Sequence, residues 1–315
     1  MIDLIGDVHG HADELEKLLQ KLGYSNKNNY YSHPNPKRSV LFIGDYIDRG
    51  PKIRETLKII KKMVDNNTAI ALMGNHEYNA LCFHQKDLDG NYLREHSEKN
   101  IRQHLQTLEQ FENNKDELDM YLDWFKTLPL FYETDNFRAV HACWDYKSID
   151  YLKNNLNNNR LNDDSIAQSV KKDTELYNAI EITLKGKELK LPKNIEFKDK
   201  DGNRRGEMRY KWWEDLSKHT YKTISMHPIE NLPEATISTS FIENNIHYDK
   251  NDKCVFFGHY WLKVMNNSKN SPMLFRENIC CLDYSIAKDG HLVAYSFENE
   301  LQLREKNFTW VKTIH

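Results

Sequence analysis

Cysteine is scarce in this 315-residue chain and odd in number: Cys82, Cys143, Cys254, Cys280 and Cys281. None falls in a CxxC pair, which argues against a zinc knuckle and a disulfide framework and fits a reducing cytoplasm. Long hydrophobic runs are also missing, and nothing approaches the roughly 18 apolar residues that span a bilayer. Met1-Ile2-Asp3-Leu4-Ile5 already reads as a strand, leaving no room for a leader before Asp7. Charge of one sign is not in excess either. A formal net charge of -3 provides no electrostatic footprint for nucleic acid, so neither nucleic acid nor membrane is an expected partner. No internal repeat is apparent, and oligomeric state is not legible. These absences leave a cytoplasmic globular chain long enough to bury a sizeable core.

The first part of the chain alternates strands and helices. Ile2–Ile5 reads as a short buried strand. Leu15, Leu18, Leu19 and Leu22 then recur at helical spacing, with Gly23 as the stop. Val40-Leu41-Phe42-Ile43 is a second strand, Ile53, Leu57, Ile60 and Val64 a second helical stripe, and Thr68–Met73 a third strand. Such an order predicts parallel pairing through right-handed crossovers. A helical stretch from about Glu95 to Lys126 follows, with Leu105, Leu108, Tyr121, Leu122, Trp124 and Phe125 as its apolar residues. Strands are expected at Leu130–Tyr132, Phe137–His141, Cys254–Phe257, Ile279–Leu282 and His291–Phe297. Cys280 and Cys281 should straddle their strand, one side chain to each face. The fold class is α/β (α+β), one domain over residues 1–315. Residues 145–251, polar and with an Asn-rich tract, form an insertion or cap within it. Trp212-Trp213 is expected to be core packing of that insertion.

Five motifs carry the chemistry: Gly6-Asp7-Val8-His9-Gly10, Gly44-Asp45-Tyr46-Ile47-Asp48-Arg49-Gly50, Gly74-Asn75-His76-Glu77, Val140-His141-Ala142 and Gly258-His259. A strand ending in Gly-Asp puts a carboxylate on the rim of a sheet, where open α/β sheets bind ligands. Asp7 and His9 can reach one cation from one turn. Asp45, at the neighbouring rim, can bridge to a second. Asn75 offers an amide oxygen, and His141 and His259 arrive from later in the chain. Carboxylate, imidazole and amide donors together suit manganese first, with iron or zinc as alternatives, over calcium or magnesium. Two such ions would clamp a phosphoryl group and lower the pKa of a bridging water for in-line attack. Arg49 is placed to grip phosphate. His76 is the expected proton donor to the leaving oxygen, oriented by Asp48.

These residues resemble the phosphoprotein phosphatase family of calcineurin-like metallophosphoesterases, with the pattern GDxHG, GDxxDRG, GNHE and two isolated histidines. The likeness is close over about Met1–His141 and looser over Cys254–Phe297. It implies a sandwich of two mixed sheets flanked by helices. It also implies a first metal on Asp7, His9 and Asp45, and a second on Asp45, Asn75, His141 and His259. Within the family the chain is similar to the bacterial branch, which includes symmetrical diadenosine tetraphosphatases, small serine/threonine phosphatases and phosphatase domains of RNA-repair enzymes.

The implied activity is hydrolysis of phosphomonoesters or phosphoprotein. The alternatives are symmetrical cleavage of a dinucleoside tetraphosphate, or a scaffold that keeps the fold without catalysis. The scaffold reading expects a lost ligand, and none is missing. The substrate is then a phosphorylated small molecule, nucleotide or protein. Arg209 is the candidate second phosphate-binding arginine, with Arg205 and Arg276 as alternatives. Tyr260 and Trp261 are expected to line the pocket, and Asp283 to support a ligand histidine from behind. The ten remaining histidines, from His11 to His315, are expected to face solvent.

Overall fold

The computed structural model describes residues 1–193, 195–198, 204–243, 245–264 and 271–314. Its framework is two sheets. The first contains β1 (Ile2–Ile5), β2 (Ser39–Phe42) and β3 (Ala69–Ala71), paired parallel as expected from the βαβαβ order. The second contains β4 (Phe131–Glu133), β5 (Phe137–Val140), β6 (Cys254–Phe257) and β7 (Ile279–Cys281), with β5, β6 and β7 parallel and β4 antiparallel to β5. The chain then returns to the first sheet through β8 (Asp283–Tyr284), β9 (His291–Phe297) and β10 (Phe308–Lys312). There β9 runs antiparallel to β1, with Ile2 opposite Phe297. β10 is not among the expected strands.

Alternation along the strands explains why the sheets stack. Leu4, Leu41, Phe137, Ala139, Phe256, Cys280 and Val293 point into one buried layer between the sheets. Their neighbours Ile5, Val40, Phe42, Val140, Phe257 and Cys281 point outward into a second cluster under the helices. Period-two side chains give each strand two buried faces. Cys280 and Cys281 therefore do straddle their strand.

On the outer side lie α1 (Ala12–Lys21) and α2 (Ile53–Asp65), burying Leu15, Leu18 and Leu19 and Ile53, Leu57 and Ile60. α3 (Asn75–His84) is absent from the expected elements for a physical reason. It buries Asn75, His76, Glu77, Tyr78, Ala80, Leu81, Cys82 and Phe83, so it has no polar face to set off an apolar stripe. The Glu95–Lys126 stretch resolves into α4 (Glu98–Gln110) and α5 (Lys115–Lys126). Leu105 lies on the surface of α4 at 39% exposure, against expectation.

The segment after β5 begins with α6 (Tyr146–Asn155), α7 (Asp163–Ser169) and α8 (Glu175–Lys185), then two short strand pairs. Trp212 and Trp213 are buried, with ring centroids 5.2 and 5.4 Å from Phe257 on β6. They are core residues, as expected. Among the described residues no helix is long and apolar enough to cross a membrane.

An ionic cluster ties β4 and β5 to this segment. Glu133 accepts from Arg138 at 2.8 Å and pairs with Lys153 at 2.6 Å, while Arg138 reaches Asp252 at 3.1 Å. Burial raises the Glu133 carboxyl, but Lys153 and Arg138 outweigh it and hold it at about 2. A depressed acid pKa adds stability above its unfolded value, lost as pH falls through the folded one. Glu133→Gln should therefore lower the urea midpoint at pH 7, and its gap to wild type should close between pH 4.5 and about 2. Equal gaps at both ends of that window would contradict this. Solvent reaches the cluster, so the effect is modest.

Candidate functional site

The loops after β1, β2, β3, β5 and β6 converge on one rim. Val8 N and His9 N both donate to Asp45 O, at 3.0 and 2.9 Å, clipping the first two loops together. The turns are tight. Gly44 has φ +112° and sits so close to Gly74 and the His141 ring that a Cβ would lie within 2.8 Å of each. A Cβ on Gly258 would lie 2.0 Å from Asp7 Oδ1. Asp7 in turn accepts the backbone N–H of His259 at 3.1–3.2 Å. Several non-glycine residues here have positive φ, including His9 (45°), Asp45 (55°), Asp48 (65°), Arg49 (67°) and His259 (71°). Strain of this kind persists only where neighbours over-determine the backbone, and it clusters at functional sites.

Glu77 supplies much of that determination. Wholly buried, it accepts from Gly74 N at 3.0 Å, Asp45 N at 2.9 Å and Tyr46 N at 2.8 Å. Burial and the nearby Asp45 charge push its carboxyl up to about 7.

Asp45 lies at the centre. One carboxylate oxygen faces His9 Nε2 at 3.6 Å, and the other faces His141 Nε2 at 3.4 Å. The second oxygen also accepts from His76 N at 2.9 Å, at the start of α3, where the helix dipole favours an anion. Asn75 Oδ1 lies 3.1 Å from His141 Nε2. The ring orientations follow from the backbone. His9 Nδ1 donates to Ile47 O at 2.8 Å and His141 Nδ1 to Ile43 O at 2.9 Å, which turns each Nε2 toward Asp45.

A cation fits this arrangement. His9 Nε2 and both ring nitrogens of His259 are buried without a hydrogen-bond partner. The clusters His9, Asp45, His76 and Asp45, His141, His259 each bring donor atoms within 4.8 Å of one another. Burial, with the charges of Asp283 and Asp45, raises the Asp7 carboxyl well above its ordinary range. Burial lowers His141, but Asp45 and Asp7 overcome that and raise it to about 10. Positive charge is thus what the site lacks, and two divalent ions would supply it. All six sequence-derived ligands, Asp7, His9, Asp45, Asn75, His141 and His259, are brought together.

Beside them, His76 Nδ1 donates to Asp48 Oδ2 in a short contact. Burial lowers the His76 pKa, but Asp45 and Asp48 together raise it above its usual value. Arg49 projects from the rim with its guanidinium 4.5 Å from the Trp261 ring, which lies 5.6 Å from the His9 ring. Arg209 lines the same cleft, and its charge adds to burial in lowering the His259 pKa.

Some expectations need correction. Tyr260 does not line the cleft. It is wholly buried and points inward, where a Cβ on Gly186 would lie 2.2 Å from its hydroxyl. The sharp turn at His259 sends consecutive side chains to opposite sides, so Trp261 alone of that pair reaches the cleft. Arg276 is elsewhere, bonded to Tyr248 O at 2.8 Å, whereas Arg205 lines the cleft. Asp283 supports the His259 turn through Trp261 N at 2.6 Å. Of the histidines expected to face solvent, His11 and His104 are buried, and His315 lies outside the described residues. His104 donates to Asp48 at 2.8 Å. A histidine and a threonine three apart on one helix (His104 and Thr107) was the available signal, but a weak one without the fold.

A match to the Calcineurin-like phosphoesterase family covers residues 1–260. A Bis(5'-nucleosyl)-tetraphosphatase PrpE [asymmetrical] of Oceanobacillus iheyensis is 48% identical over 75 residues, 24% of this chain and 30% of that one. A symmetrical Bis(5'-nucleosyl)-tetraphosphatase of Psychromonas ingrahamii is 34% identical over 141 residues, 44% of this chain and 42% of that one. The chain thus spans well under half the length of these curated relatives. A protein serine/threonine phosphatase of Saccharomyces cerevisiae overlays 99% of this chain and 79% of its own at 14% identity. The TM-score of that overlay is 0.48. The family match spans the loops that hold Asp7, Asp45, Asn75, His141 and His259, and on that ground the chain belongs to the calcineurin-like phosphoesterase family.

Proposed function

We propose that the protein is a dinuclear-metal-dependent phosphatase that hydrolyses phosphomonoesters, phosphoprotein among them. The observation that carries this reading is Asp45, whose two oxygens face two different imidazole nitrogens while buried His9 and His259 nitrogens stand without partners. Asp7, His9 and Asp45 would hold one ion, and Asp45, Asn75, His141 and His259 the other, with manganese the first choice. Such ions, when bound, would supply Lewis-acid charge to the phosphoryl group and make a water more acidic. The chain's own groups do the rest. Arg49, steadied by Trp261, and Arg209 bind phosphate oxygens. His76, charged and oriented by Asp48, gives its Nε2 proton to the leaving oxygen. The cap of residues 145–251 sets which substrate enters.

A second reading, cleavage of a dinucleoside tetraphosphate, is favoured by the cleft. Its volume is about 2630 Å³, beyond the roughly 300–1,000 Å³ of an ordinary small-molecule site. Lys99, Lys211, Arg205 and Arg209 are in its lining, and the tetraphosphatase names of the relatives agree with it. A panel with Mn²⁺ of aryl phosphate, phosphopeptide, nucleoside monophosphate and diadenosine tetraphosphate separates the two. No turnover on any of them would sink both. His76→Asn should cost about 10²-fold or more on an alkyl phosphate and far less on an activated aryl phosphate, because a good leaving group needs little protonation. Equal losses on both would remove His76 from the acid role.

A further inference from the structure

Asp48 receives more hydrogen bonds than its pairing with His76 requires. Its Oδ2 takes the His76 Nδ1 proton, while its Oδ1 accepts from His104 Nδ1 at 2.8 Å and from Thr107 Oγ1 at 2.5 Å. Asp48 N also donates to Thr107 Oγ1 at 3.1 Å, so one hydroxyl grips both backbone and side chain. Behind His104 stands His84, with Nε2 to Nε2 at 3.2 Å. Burial and the neighbouring His104 hold His84 at about 4, so at neutral pH it is uncharged. Only one proton fits between two imidazole nitrogens. The protons of His104 Nδ1 and Thr107 Oγ1 both run to Asp48.

α4 is built for this purpose. His104 and Thr107, three apart on one face, are its buried residues, whereas Ile101 and Leu105 stay 38% and 39% exposed. An ordinary amphipathic helix does the reverse. Burying two polar groups and leaving two aliphatic ones in water adds little to stability, so the arrangement calls for another explanation.

We infer that His104 and Thr107 are positioning residues for the reaction: they lock the Asp48 carboxylate, which fixes the His76 ring with Nε2 turned to the leaving oxygen. This rests on the phosphoesterase reading. A freely rotating carboxylate would let the His76 ring turn away, and small misplacements of a reacting group cost rate steeply.

The test uses the full chain with Mn²⁺ and two phosphate monoesters, one with an activated aryl and one with an alkyl leaving group. His104→Leu and Thr107→Val should each lose about 10-fold or more in kcat on the alkyl ester, within the range of orienting partners. On the aryl ester they should stay within about threefold, with KM unchanged on both. His104→Asn places an amide N–H where Nδ1–H was and should recover most of the loss. In metal-free protein, the downfield proton resonance of the His76–Asp48 bond should move in the Leu and Val variants and return in the Asn variant. Equal loss on both esters, no loss, or an unmoved resonance would overturn the inference. If His104→Leu does not fold, Thr107→Val decides alone, because it keeps shape and removes only the hydroxyl. If the wild type turns over neither ester, the phosphomonoester reading fails, while the resonance still decides the positioning.

Discussion

Asp45→Asn should lower kcat/KM by at least about 10³-fold, and metal analysis after dialysis against Mn²⁺ should find less than the wild-type content. Asparagine keeps the shape, but it offers one neutral oxygen where the carboxylate presents one to His9 Nε2 and the other to His141 Nε2. Whichever way the amide turns, its NH₂ meets an imidazole lone pair and leaves one ion without its shared ligand. The fold should survive. Asp45 is buried among Asp7 and Glu77, whose carboxyls its charge raises. Neutralising it relieves that repulsion in metal-free protein, which offsets the lost attraction to His141. The metal-free thermal midpoint should thus stay close to wild type while turnover vanishes. Retained metal and retained activity together would contradict a bridging role.

The second large effect belongs to a residue outside the proposed metal ligands. Glu77→Ala should destabilise the protein by about 3–5 kcal/mol, read as a shift of the denaturation midpoint. Removing it leaves four buried N–H groups, of Gly74, Asp45, Tyr46 and Ile47, without this acceptor. They hold the turn in which Asp45 has φ +55°, so the loop should relax and metal affinity should fall with stability. Glu77→Gln keeps one carbonyl oxygen for part of this array but sets an amide NH₂ against the remaining donors, so it should fall between wild type and alanine. An alanine variant as stable as wild type would show that water satisfies these groups.

Much of the fold was legible because the strands are short, apolar and followed by Gly-Asp or Gly-Asn. The candidate ligands were legible because each motif names a residue type at a strand end. What escaped has a common cause. α3 is buried on every side, so no periodicity marks it. His104 is polar on a helix whose apolar residues face water, so the pattern pointed to the wrong face. Tyr260 and Trp261 were read as a pair, although the positive φ of His259 and Trp261 turns the two side chains to opposite sides. That turn is invisible in residue type. Arg205, Arg209 and Lys211 are a further case, because nothing in their polar surroundings marks them as lining the cleft.

One feature of the sheet governs when such a site can exist. β1, which leads into Asp7 and His9, has β2 on one flank and β9 on the other, with Ile2 opposite Phe297. Asp7 meets His259 N across 252 residues. At about 5–20 residues per second, synthesis therefore leaves the first strand with an open edge for roughly 15–60 s. Until β9 arrives, its carboxylate and imidazole have no partner half. A ribosome-bound chain stalled before His259 would hold an exposed strand edge and an incomplete donor set. The full donor set therefore assembles only after His259 has been made.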